Sequence, residues 1–144
     1  MNVMIALSSR SQQAIFLCPS DYFEFLRIMI EAKRSYASAV YAFCLMPDYC
    51  RIAARFEDGA KVREFIRYLN RTYRGHVVTG NTINDLRIKN HMPCVLEGPA
   101  ELLHAVQWIE REPVSAGIVA SAQEYPYGSA YYRASRKNVF EKVY

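Results

Sequence analysis

The stretch CLMPDYCRIAA, from Cys44 to Ala54, decides the fold. Val40 to Met46 is a nearly continuous apolar run of the kind a buried strand needs, and Pro47-Asp48 turns the chain. YCRIAARF, Tyr49 to Phe56, then returns beside it, so the whole reads as a β-hairpin. Side chains two apart on a strand point the same way, which puts Tyr49 and Arg51 on one face of the second strand.

Upstream, Asn2 to Ser8 is apolar and β-prone, and AIFLC (14–18) follows as a loop or second short strand. A helix is predicted next, capped at Ser20 or Asp21 and running to about Tyr36, with Tyr22, Phe23, Leu26, Met29, Ile30 and Lys33 at helical spacing. Downstream of the hairpin, Asp58-Gly59 stops the strand and a second helix runs from about Ala60 to Arg74. Its stripe of Val62, Phe65, Ile66, Leu69 and Tyr73 faces a core, while Arg63, Arg67, Arg71 and Arg74 share the opposite side.

GHVVTGNTIN (75–84) reads as loop, and a strand between Leu86 and Leu96 is interrupted by Pro93, as at a bulge or sheet edge. Gly98-Pro99 opens a third helix, with Leu102, Leu103, Val106 and Ile109 on its apolar face and an end near Glu112-Pro113. The order β, α, β-hairpin, α, β, α predicts an α+β fold in which helices cover an antiparallel sheet. Residues 1–144 read as a single domain with an irregular aromatic and basic tail from about residue 120.

At 51% hydrophobic and 22% charged residues, the composition is that of an ordinary globular protein, neither disordered nor membrane-embedded. No apolar run reaches the ~20 residues that span a bilayer, and MNVMIALSSRSQQ lacks the basic start of a secretory signal, so the expectation is cytoplasmic. Cys18, Cys44, Cys50 and Cys94 show no metal-like spacing and are expected as reduced, mostly buried thiols. The three histidines, His76, His91 and His104, are scattered along the chain. The net charge of +4 is unevenly spread. Between Lys61 and His91, seven cations (Lys61, Arg63, Arg67, Arg71, Arg74, Arg87, Lys89) face two carboxylates, a net of +5 that leaves −1 elsewhere.

YAFCLMPDYCRIAA, the basic helix FIRYLNRTYRGH, a strand beginning RIK, and AVQWIEREPVSAGIVASAQEYPYGSAYY together resemble the REP-associated tyrosine transposases. These are single-tyrosine insertion-sequence transposases of the HUH nuclease superfamily, and the resemblance runs in order from about Met4 to Tyr132. It implies a ferredoxin-like, HUH nuclease-like sandwich. It also implies a site in which two histidines after the LMP turn hold a divalent metal, magnesium or manganese, and a tyrosine on the last helix attacks a phosphate.

The matched positions in this chain depart from that pattern. Tyr49 and Arg51 stand where the histidines would be, Trp108 at the nucleophile, and Glu112 at the polar residue one helical turn later. Indole has no nucleophilic oxygen, and a guanidinium repels a divalent cation. The resemblance therefore implies a transposase-like nucleic-acid-binding protein unable to cleave DNA, with no catalytic residue and no metal or other cofactor expected. Trp108 is expected to fill the space of the lost centre.

Four arginines with Glu64 as the only acid among them suit a phosphate backbone better than a solvated face of mixed sign. The expected nucleic-acid contacts are Arg63, Arg67, Arg71, Arg74, Arg87 and Lys89, with Arg51 gripping a phosphate in the old cleft. The alternative for Arg51 is an ion pair with Glu112 or Asp48. Tyr68 and Tyr73 could stack on bases, although Tyr73 follows the apolar stripe, and Tyr125, Tyr127, Tyr131 and Tyr132 suit packing. The expected partner is structured or single-stranded DNA, with RNA and a homodimer both compatible. Two rival readings remain: an active transposase using another tyrosine such as Tyr49 with a non-standard metal site at Asp48 or Glu112, and a regulatory or structural partner of an active relative.

Overall fold

The computed structural model describes residues 1–9, 14–80, 88–90 and 92–135, with backbone alone at 77–80 and 88–90. The element order is β1 (Asn2–Ser9), α1 (Pro19–Tyr36), β2 (Ala39–Leu45), β3 (Tyr49–Arg55), α2 (Gly59–Gly80), β4 (Ile88–Asn90), β5 (Cys94–Leu96), α3 (Gly98–Ser115), a single 3-10 turn (Ala122–Glu124) and α4 (Ser129–Ala134).

The sheet is antiparallel in the order β2-β3-β1-β4, with β5 also on β1. This is the order of a ferredoxin-like βαββαβ unit. The hairpin forms as its residues require. Leu45 pairs with Cys50 and Cys44 with Arg51, and Met46 N–H donates to Tyr49 O at 2.8 Å across Pro47-Asp48. The turn is held from outside by Ile15 N–H, which donates to Pro47 O at 2.7 Å. Residues 14–18 are therefore a strap on the hairpin tip rather than a second strand.

Burial alternates strictly along β1, and Val3, Ile5 and Leu7 enter the larger core with Cys50, Ile52 and Ala54 of β3. α1 and α2 cover that face through Phe25, Ile28, Met29, Phe65, Leu69 and Tyr73. The smaller core on the other face joins Ala42, Cys44 and Met46 to Ala53, Ile109 of α3 and Tyr125. The sheet thus carries two helical layers, one on each side.

Several boundaries differ from the sequence reading for local reasons. α1 starts at Pro19, whose missing N–H costs nothing in a first turn, and Asp21 reaches back to accept from Leu17 N–H at 2.9 Å instead of capping. Asp58 caps α2 by accepting from Lys61 N–H at 2.9 Å, and the helix runs on into the expected loop as far as Gly80, while residues 81–84 of that loop lie outside the described residues. Around Pro93 the expected strand is two, β4 on Leu7–Ser9 and β5 on Asn2–Met4, side by side along one flank of β1.

α3 passes through Pro113 and ends where Gly117 adopts φ +76°. Ile118 N–H donates to Pro113 O at 2.9 Å and Gly117 N–H to Val114 O at 3.0 Å, the two bonds of a Schellman cap. Phe23 and Leu103, expected inside, are about half exposed, at 50% and 56%. Of the four cysteines, Cys44 and Cys50 are buried and Cys18 and Cys94 exposed.

Up to residue 135, where the described residues end, the tail is more ordered than its composition implies. Leu45 N–H donates to Tyr127 O at 2.9 Å, Gly128 bridges Cys44, and Ser129 Oγ accepts from Phe43 N–H at 3.0 Å. Tyr127 stacks on Tyr22, with ring centroids 3.8 Å apart. Residues 127–129 therefore lie along the outer edge of β2. Among the described residues no helix is long and apolar enough to cross a membrane.

Candidate functional site

The alternation of β3 sends Cys50, Ile52 and Ala54 toward α1 and α2, which leaves Tyr49, Arg51 and Ala53 toward α3. On α3, Trp108 and Glu112 are one turn apart and so share a face. The two pairs meet. Tyr49 Oη–H donates to Glu112 Oε2 at 2.8 Å, and the Arg51 guanidinium donates to Glu112 Oε1 in an ion pair. The Arg51 guanidinium carbon also sits 4.1 Å from the Trp108 ring centroid and 5.0 Å from that of Tyr49.

All four positions singled out in the sequence are thus one cluster. Its charges balance, Arg51 against Glu112, and its hydrogen bonds are charge-assisted. Burial, and then the bond to Glu112, push the Tyr49 hydroxyl well above the ordinary tyrosine range, so it is a neutral donor. Beneath the cluster, burial and the nearby Glu112 carboxylate push the Cys44 thiol up to about 12, which removes it as a nucleophile at neutral pH.

A divalent cation does not fit this donor set. The one carboxylate, Glu112, already accepts at both oxygens, and the charge beside it is a guanidinium. Among the described residues, no three of His, Cys, Asp and Glu come together in a metal-like group.

The expected nucleic-acid residues do not form one surface. Arg63, Arg67, Arg71 and Arg74 are all exposed along α2, whose buried stripe packs on the α1 and α2 side of the sheet. Arg51 lies on the other side of the sheet, with its guanidinium engaged by Glu112 and Trp108. Arg67 has a partner the stripe was expected to lack, Glu64 Oε1 at 3.2 Å. Lys89 stands at the register position opposite Ser8, which also pairs with Tyr49. Arg87 and His91 lie outside the described residues.

Both tyrosines of the α2 region are engaged within the fold. Tyr73 is fully buried and donates to Ile15 O at 2.8 Å, and the Tyr68 hydroxyl donates to Glu31 at 2.7 Å. Trp108 does not fill a void either, since 49% of it is exposed. His76 sits in α2 beside Asp21 at 3.2 Å, and His104 is exposed on α3.

The sequence reading missed a second network on α3. Glu110 accepts from Ser129 Oγ at 2.6 Å and from Arg133 Nη1 at 2.6 Å, while Arg133 Nη2 donates to Tyr41 O at 2.9 Å. This ties α4, α3 and β2 together. Its only sequence signal was Glu110 alternating with Glu112 on a helix, too common a pattern to read alone.

No protein-family model and no curated protein matches the sequence. The fold is similar to that of a solved REP-associated tyrosine transposase bound to a REP hairpin, with a TM-score of 0.67 and 16% identity over 95% of this chain and 81% of that one. The likeness bears on architecture: an antiparallel sheet between helical layers, α+β as its hairpin and helical stripes predict, and built like that transposase.

Proposed function

We propose that this protein is a transposase-like nucleic-acid-binding protein that has given up DNA cleavage. The observation that carries the reading is the Glu112 carboxylate closed on Arg51 and Tyr49, at the positions where the resemblance would put metal ligands. A guanidinium has no lone pair with which to coordinate a metal, and Trp108 offers no nucleophile. The fold shared with a hairpin-bound transposase and the exposed arginines of α2 support DNA, structured or single-stranded, as the ligand.

The rival with Tyr49 as nucleophile is disfavoured, because its hydroxyl is held neutral against a carboxylate. Incubation with end-labelled hairpin DNA and manganese, resolved under denaturing conditions, tests both halves together with an anisotropy titration. Binding without a covalent adduct is expected, and an adduct lost in Tyr49→Phe would overturn the assignment. Absence of binding at low salt would favour instead a regulatory partner of an active relative.

A further inference from the structure

We propose that Trp108 is a stacking platform for an unpaired nucleobase, on the α3 side of the sheet and separate from the α2 arginines. The proposal rests on the nucleic-acid reading above and adds to it a site and a class of ligand group. Trp108 is the only tryptophan of the chain, and 49% of it is open to solvent although it neighbours a buried core at Ile109. Half of the indole is therefore open ring surface that a flat partner can cover.

The ring is held ready. The Arg51 guanidinium lies against it at 4.1 Å, and Glu112, one turn along the same helix, fixes that guanidinium by an ion pair. An aromatic ring already ordered by a cation loses little freedom when a base stacks on its open surface. The cation also draws π density toward itself, which favours an electron-rich base on the outer side.

Charge selects a nucleotide over an apolar protein segment. Glu112, one turn beyond the ring, is neutralised within the fold by Arg51, and Glu110 by Arg133. Arg111 and His104, three and four residues from Trp108, are exposed beside it, and among the described residues neither makes an ion pair. A phosphate flanking a stacked base would meet the Arg111 guanidinium. A fully paired duplex keeps its base faces covered, so the ligand group is an unpaired base, in DNA or RNA.

The test uses the full chain, a hairpin with a single-stranded tail, its stem alone as a fully paired duplex without a loop, and an RNA version of the tailed form. Labelled probes report binding by anisotropy while the emission of the sole tryptophan reports stacking. Quenching by the tailed hairpins and not by the duplex is expected. Trp108→Ala should weaken the tailed probe by about ten-fold or more, and Trp108→Phe should retain most of the affinity. Tailed-probe binding with unchanged emission, or with Trp108→Ala binding as tightly as the parent, would sink the platform while leaving nucleic-acid binding standing. Emission that follows protein concentration but not nucleic acid would make this a contact between copies and overturn it too. No anisotropy change with any probe at low salt removes the nucleic-acid reading itself.

Discussion

Glu112 of α3 and Arg51 of β3 are 61 residues apart in sequence and joined as an ion pair on the inner side of α3. The pair fastens the helix to the central hairpin.

Removing one partner should hurt more than removing both. With 14% of the Glu112 side chain and 24% of the Arg51 side chain exposed, Glu112→Ala leaves a largely enclosed guanidinium unpaired and should cost about 1–3 kcal/mol. Arg51→Met with Glu112→Leu should recover much of that loss. A thermal-denaturation double-mutant cycle measures the coupling, and strict additivity would show that the pair is an exposed ornament.

The arginines of α2 should act on binding and not on stability. Arg67→Ala with Arg71→Ala is expected to leave the melting temperature within error, because both side chains are exposed. The slope of log affinity against log salt should fall by roughly 0.7–0.9 for each phosphate that an arginine no longer neutralises. An unchanged slope would remove α2 from the interface.

Ser129→Ala should destabilise the tail more than its size implies. The hydroxyl is buried, accepts from Phe43 N–H at 3.0 Å and donates to Glu110 at 2.6 Å. Its loss should cost about 1–3 kcal/mol, and proteolysis beyond residue 120 should speed up in step with a lowered melting temperature. Equal cleavage rates in parent and variant would contradict the assignment.

Alkaline pH should unfold the protein in a particular order. Burial raises the Tyr73 and Tyr125 hydroxyls well above the ordinary 10, and burial with the bond to Glu112 does so for Tyr49. A group whose pKa is raised by folding gives stability that is complete below the unfolded value and is lost as pH climbs past it. Tyrosinate absorbance should therefore lag for part of the 11 tyrosines and then rise together with loss of circular dichroism. Smooth titration of all of them near pH 10 with the fold intact would refute this.

The hairpin and the α2 stripe were legible because each is a local pattern, a turn dipeptide between apolar runs and a 3.6-residue period. Glu112 as the partner of Arg51 was one of two candidates open from sequence, and the fold chose it by placing α3 over β3. What could not be read was which side of the sheet each helix takes. That choice depends on how the crossovers pack, and it puts Arg51 and the α2 arginines on opposite sides of the sheet. The end of α3 was missed because Pro113 looks like a stop, whereas Gly117, four residues on, is the residue that can take the left-handed turn. The single strand expected around Pro93 became two because both halves find room on the same flank of β1.

Residues 127–129, laid along the outer edge of β2, guard the sheet against its own kind. Strand edges left open recruit other strands, and β2 is almost wholly apolar. With Tyr127 and Gly128 bonded to it, that part of the β2 edge offers no open backbone to a strand of another copy.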